Sequence, residues 1–283
     1  MIKFAVTIVS PPSYVHSAAF HEVAESIHFG LMSLGFDSVL TTEGNLPGRQ
    51  HIVFGSNILP AYQRPLAANA ILYNLEQVDV GSSWFRPELV ALFCRYRVWD
   101  YSETNALALG ALGVKVEKVL PIGYVEQLTR IHFAARRDID VLFFGSMNPR
   151  RQEIVRRLRA SGLHVVAVFG IYGKDRDQLI ARSKLVLNVH FYEAKVLEIV
   201  RISYLLANRC AVLSETSSDP REDESLAGGV AFAEYGDLEK AAHELVNNEE
   251  RCARLSQRGF ELMSERLMTG YLRDALEGAT VTI

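Results

Sequence analysis

The sequence predicts an α/β fold of two doubly wound halves, each a parallel sheet covered by helices. Three observations predict it. Short apolar, β-branched runs alternate with helical patterns along most of the 283 residues. The alternation pauses at Pro121-Ile122-Gly123-Tyr124 and restarts in the same order at Asp140. The composition, 49% hydrophobic and 22% charged, is that of an ordinary soluble protein large enough for two cores.

In the first half, residues 2–10 read as a buried strand, 11–15 as a turn and 16–34 as a long helix with Ala18, Ala19, Val23, Ile27 and Leu31 spaced for burial. Gly35 stops that helix, and residues 37–42 form the next strand. Strands follow at 51–54, 71–75 and 95–99, then a helix at 102–112 ended by Gly113 and a strand at 116–120. The second half runs as a strand at 140–144, a helix at 149–161 with Asn148 as its cap and Pro149 at its first position, and a strand at 164–169. A helix at 175–182, a strand at 185–189, a helix at 196–206 and a strand at 211–213 come next. A last strand at 230–232 precedes helices at 238–246, 249–265 and 271–276. We divide the chain at 1–124, 125–266 and 267–283, the last a closing helix that packs back on the first domain. The two sheets are expected to face a cleft, where ligands of such folds bind.

A net charge of -3 and a pI near 6.3 argue against general nucleic-acid or membrane binding. Cys94, Cys210 and Cys252 are scattered, as in a reducing cytosol, and no His/Cys/Asp cluster has metal-ligand spacing. The apolar run in MIKFAVTIVSPP is too brief for a signal peptide or a spanning helix, so we expect a cytoplasmic protein with no membrane span.

Chemistry concentrates where loops leave the carboxyl ends of strands. Gly145-Ser146, between a strand and a helix, offers backbone N–H groups and a hydroxyl at a positive helix end, which suits a diphosphate; a plain tight turn is the alternative. Arg150 or Arg151 can reach phosphate from the next turn, while Arg156, Arg157 and Arg159 read as a solvated face. Gly170, Tyr172 and Lys174 lie in the next loop, where an aromatic ring can border a nucleobase and Lys174 can add a phosphate contact. Asn188, His190, Glu193, Lys195, Glu198 and Arg201 crowd the loop and first helical turn after the following strand, with Glu198 and Arg201 one turn apart; the alternative for those two is an exposed ion pair. In the first half, His16 stands at a helix start as a candidate general base. Glu76 and Asp100, after two of the strands, are acids that orient it or act as base themselves.

The segments LNVHFYEAKVLEIVRISYLLANRCAVLSE and DIDVLFFGSMNPRR, with NLEQV, VWDYSETN and PIGYV, resemble GT-B fold glycosyltransferases, in particular the short bacterial and giant-virus type related to CgeB-like spore-maturation transferases. The resemblance implies two Rossmann-like domains and transfer of a sugar from a nucleoside-diphosphate sugar, UDP-sugar foremost. It implies a glycan, protein or small-molecule acceptor and no metal or other cofactor. In the family's Glu-x7-Glu pattern the second glutamate holds the donor ribose; it falls on Glu198, and the first position is His190. That departure, with His16 matching the base histidine of inverting members, inclines the expectation to inversion. A non-catalytic nucleotide-sugar sensor or subunit and a nucleotide-sugar epimerase are the rival readings.

Overall fold

The computed structural model describes residues 2–78 and 86–277. Two compact units form, Met1–Gln127 with Arg266–Ile283, and Leu128–Glu265. Among the described residues no helix is long and apolar enough to cross a membrane.

The first unit is built on six parallel strands: β1 (Lys3–Ile8), β2 (Asp37–Thr41), β3 (Gln50–Phe54), β4 (Ile71–Asn74), β5 (Arg97–Asp100) and β6 (Val116–Val119), in the order β2-β1-β3-β4-β5-β6. β1 and β4 are buried on both faces, which is why they read as unbroken apolar runs. Helices α1 (His21–Ser33), α2 (Pro87–Phe93) and α3 (Glu103–Ala111) connect the strands. The expected helix from residue 16 is corrected: Val15–Phe20 is a 3-10 turn and the α-helix begins at His21. Ser17 explains the tighter start, because its buried hydroxyl donates to the Val9 carbonyl at 2.8 Å and ties the turn to the end of β1. Helix α2 was not expected, although Pro87 at its first position and buried Leu89 and Phe93 one turn apart are helix signals.

The last helix, α10 (Met268–Leu276), belongs to this unit. It begins three residues before the expected 271. Tyr124 N–H donates to Arg266 O at 2.7 Å and Met268 N–H to Tyr124 O at 3.0 Å. A Cβ on Gly123 would stand 2.6 Å from the Met268 backbone, and one on Gly30 2.8 Å from the Met268 and Leu272 side chains, so the two glycines let α10 approach closely.

The second unit holds β7 (Ile139–Phe144), β8 (Val165–Val168), β9 (Ser183–Asn188), β10 (Val212–Glu215) and β11 (Ala231–Ala233), all parallel in the order β11-β10-β9-β7-β8. Its helices are α4 (Pro149–Ala160), α5 (Gly173–Ala181), α6 (Ile199–Ala207), α7 (Pro220–Ser225), α8 (Leu238–Val246) and α9 (Glu249–Ser264). The core under α4 and α8 gathers Val141, Phe143, Leu185, Leu187, Leu213 and Leu238. Asn148 caps α4 by accepting the Arg151 N–H at 2.9 Å. The chain leaves β7 toward β8 on one side and reaches β9 on the other, so the strand order reverses between β7 and β9. Such a switch point opens a crevice at the carboxyl ends of the two strands.

A second correction falls at α6, which starts at Ile199 rather than 196 and leaves Glu198 at the N-cap position. Lys195 takes a left-handed conformation (φ 48°) and its carbonyl accepts the Ser218 N–H at 2.9 Å, which holds the preceding loop out of the helix. Glu198 and Arg201 are therefore not neighbours on one exposed helical face. The short helix α7, capped by Asp219 with Pro220 at its first position, was also unexpected.

Candidate functional site

Asn188, the fully buried last residue of β9, organises the carboxyl edge of the second sheet. Its amide nitrogen donates to Glu198 Oε2 at 2.9 Å and to Ser214 Oγ at 3.0 Å, and its oxygen accepts from Arg201 Nη1 at 2.9 Å. Glu198 is also approached by Arg151 Nη2 at 3.3 Å on Oε1 and by His190 Nδ1 at 2.8 Å on Oε2. The His190 contact is an ion-pair distance whose alignment falls short of a hydrogen bond. The carboxylate is thus held from three sides while its side chain stays 15% exposed.

Arg151 is only 3% exposed. Its Nε donates to the Val189 carbonyl at 2.8 Å and its Nη1 to that of Ser146 at 2.9 Å, and its guanidinium lies against the rings of Phe143 and Phe191. Arg150 pairs bidentately with Glu215 and stacks on Tyr235. Both arginines expected to reach phosphate thus have protein carboxylates as partners. Glu215, fully buried at the end of β10, also receives Lys195 Nζ at 3.3 Å and the His190 N–H at 3.2 Å.

Four cationic side chains, Arg150, Arg151, Lys195 and Arg201, and the imidazole of His190 therefore share the edge with two carboxylates. Burial works to raise the pKa of Glu198, but His190, Arg201 and Asn188 outweigh it and hold the group below the ordinary carboxylate range. Burial opposes charge on Glu215 as well, and Arg150 more than compensates. Burial and the nearby Arg201 bring Arg151 down to about 10, which still leaves it charged at neutral pH. The surplus of positive charge suits a multiply charged anion.

The Gly145-Ser146 turn lies beside these cations. Gly145 has φ 142°, and a Cβ there would stand 2.7 Å from Arg201 Nη2, so glycine is needed both for the backbone and for the guanidinium. Ser146 is exposed and Asn148 Nδ2 reaches the Phe191 carbonyl at 2.9 Å, joining this turn to the loop after β9. Gly170 is left-handed (φ 72°), Tyr172 occupies the N-cap position of α5 without a side-chain capping bond and acts electrostatically on Arg201, and Lys174 is exposed on that helix's first turn. Glu193 is exposed on the loop between Tyr192 and Ala194, outside the hydrogen-bond network around Glu198.

The carboxyl edge of the first sheet is different. Asp100 is fully buried at the end of β5: Oδ2 accepts from Asn74 at 2.7 Å, and Oδ1 from the Ser102 N–H at 2.9 Å and Asn105 Nδ2 at 3.1 Å. Glu76 is half-buried. Its backbone carbonyl accepts from Asn74 at 2.9 Å and Asn105 at 3.0 Å, and its Oε1 from Asn57 at 3.1 Å. Burial pushes both carboxyls up to about 7. Tyr14, raised by burial and by the Glu76 charge, borders the same edge. His16 sits in the 3-10 turn, half-buried and edge-on to Tyr14 at 5.3 Å.

Sequence reasoning missed Glu215, whose position at a strand's carboxyl end was the available signal, and Phe169, an aromatic 55% exposed at the end of β8. It also missed the network in which Tyr204 OH donates to Asp177 and accepts from Arg130, with the Arg176 guanidinium 4.5 Å from the Tyr204 ring. Among the described residues no group of three or more His, Cys, Asp or Glu side chains is arranged to hold a metal ion.

No family model matches the chain. Uncharacterized proteins of Acanthamoeba polyphaga mimivirus are similar in sequence: one is 32% identical over 117 residues, covering 40% of this chain and 13% of that protein, and another is 27% identical over 202 residues, covering 69% of each. The chain thus spans a small part of the first of these relatives. Among solved structures, HepE of Anabaena in complex with UDP and glucose matches 98% of this chain and 100% of its own at TM-score 0.63 and 12% identity. T4 phage BGT with its UDP-glucose substrate matches 99% and 100% at TM-score 0.59 and 10% identity. AviGT4, a glycosyltransferase involved in avilamycin A biosynthesis, matches 99% of each chain at TM-score 0.53 and 15% identity. The chain has the two-sheet α/β fold of these GT-B glycosyltransferases.

Proposed function

We propose that the chain is a glycosyltransferase that takes its sugar from a nucleoside-diphosphate sugar, UDP-sugar foremost, bound at the carboxyl edge of the second sheet. The observation that carries this reading is Glu198. An ionised carboxylate offers about four acceptor positions; Arg151 donates to Oε1, Asn188 donates to Oε2 and His190 stands against Oε2, so an oriented position on Oε1 is left for a ribose hydroxyl. The surplus positive charge around it and the exposed Ser146 of the Gly145-Ser146 turn, whose Gly145 N–H is taken by the Val168 carbonyl, then face the diphosphate. There they offset the charge that develops on the leaving group, so the reaction needs no metal. Tyr172 and Phe169 border the base. HepE and BGT, with UDP and glucose or UDP-glucose bound, support the donor class, and the resemblance to CgeB-like transferases is consistent with it.

The acceptor hydroxyl is assigned to the first unit and the course to inversion. Between the two acids there, Asp100 is fully buried and held by three N–H donors, so it shapes the edge, whereas Glu76, only partly buried and also with a pKa near neutrality, is suited to take a proton. His16 is the rival base. A thermal-shift panel of nucleoside diphosphates and their sugars tests the donor site: uridine compounds should raise the midpoint, and a panel with no shift refutes the assignment. Glu198→Ala should weaken the bound nucleotide by about 1.5–3 kcal/mol, the value of a hydrogen bond to a charged group.

A further inference from the structure

Where the resemblance would place a carboxylate, this chain has His190, and its surroundings define the ring's charge. The side chain is 1% exposed. Nε2 lies 3.1 Å from the Thr216 carbonyl oxygen, which can only accept. Nδ1 lies 2.8 Å from Oε2 of Glu198, a carboxylate that accepts from Asn188 on Oε2 and from Arg151 on Oε1. A neutral imidazole has one N–H, so in either tautomer one of these oxygens would face a ring lone pair. The main chain at this residue is fixed as well: the His190 N–H donates to Glu215 at 3.2 Å and its carbonyl accepts from Arg150 at 3.2 Å.

We propose that His190 is held as an imidazolium at neutral pH and acts as a positioning residue that fixes Glu198 for the nucleotide. This rests on the donor-site reading above. The charged groups around the ring are Glu198 ahead of α6, Glu215 at the end of β10, Arg150 and Arg151 on α4, Lys195 in the loop and, through Asn188, Arg201 on α6. Burial opposes the ring's charge, while the two carboxylates and the Thr216 carbonyl favour it and prevail, so the ring titrates above its ordinary range. A charged ring cannot serve as a general base. Its loss of a proton on the alkaline side removes one of the three groups that hold Glu198, and nucleotide affinity falls with it.

Two measurements on the full chain test this. The first is an NMR titration of the His190 ring nitrogens without nucleotide, in the wild type and in Glu198→Gln. Both nitrogens should carry protons at neutral pH in the wild type, and the ring should titrate lower in the variant; a neutral wild-type ring overturns the proposal. The second is uridine diphosphate affinity between about pH 7 and about pH 9 in the wild type and His190→Gln. The wild type should weaken about fivefold, as expected when one charge-assisted contact is lost indirectly, while the variant stays flat. Parallel curves overturn the positioning role even if the ring is charged. Absence of uridine diphosphate binding at every pH refutes the donor-site reading and the positioning role together, and the ring's charge is then decided by the titration alone.

Discussion

The two sheets carry carboxylates along their carboxyl edges, at strand ends (Asp100, Glu215) or in the segments that follow strands (Glu76, Glu198), and treat them in opposite ways. In the second unit Glu198 and Glu215 stand among four cations and the His190 ring and are kept ionised in spite of burial. In the first unit Asp100 and Glu76 are surrounded by the amides of Asn57, Asn74 and Asn105, and burial brings both up to about 7. One edge thus has fixed charge and suits an anion. The other has Glu76 poised to exchange a proton and suits a hydroxyl. The contrast arises from the neighbours, not from the acids.

The comparison breaks most severely at Arg151. Arg151→Met leaves the partly buried Glu198 without its guanidinium and should cost about 3–5 kcal/mol of stability in urea denaturation, together with nucleotide binding. If the variant is as stable as the wild type, the second edge is not held by this charge pair. Gly145→Ala comes next: a methyl group at φ 142° and 2.7 Å from the Arg201 guanidinium should cost about 1–3 kcal/mol and displace Arg201 from Asn188. A nucleotide affinity unchanged in this variant would remove the turn from the donor site.

The pH dependence of stability should have opposite signs at the two edges. Glu198 and Glu215, with lowered pKa values, contribute stability that is present above the ordinary carboxylate pKa and is lost as acid protonates them. Asp100 and Glu76, with raised values, favour the protonated folded state, so their contribution declines as pH rises from about 4 to about 7. Glu76→Gln should flatten that decline by about 1 kcal/mol, a figure reduced for its partial exposure. Denaturation midpoints at several pH values check it, and an unchanged slope would mean that Glu76 stays an ordinary exposed carboxylate.

Much of this fold is legible in the chain because strands buried on both faces, such as β1 and β9, must be continuous apolar runs. The Asn148-Pro149 start of α4 is equally local, a cap followed by a residue that lacks an N–H. What was not legible depends on partners far along the chain. The 3-10 turn at Val15–Phe20 follows from the Ser17 bond to Val9, and the late start of α6 from the Ser218 bond to Lys195. The polar loop residues after β9 could be listed from their position, but their pairing could not. Arg201 bonds Asn188 rather than Glu198, Arg151 is the buried member of a run of arginines, and Glu215 meets Arg150 across 65 residues.

The central claim, that the fixed-charge edge of the second sheet binds a nucleoside diphosphate through Glu198, is tested most directly by calorimetric titration of uridine diphosphate into the wild type and Glu198→Ala. The account predicts saturable binding of one nucleotide per chain, weakened about tenfold or more in the variant. Equal affinities for the two proteins, or no binding by the wild type, would contradict it.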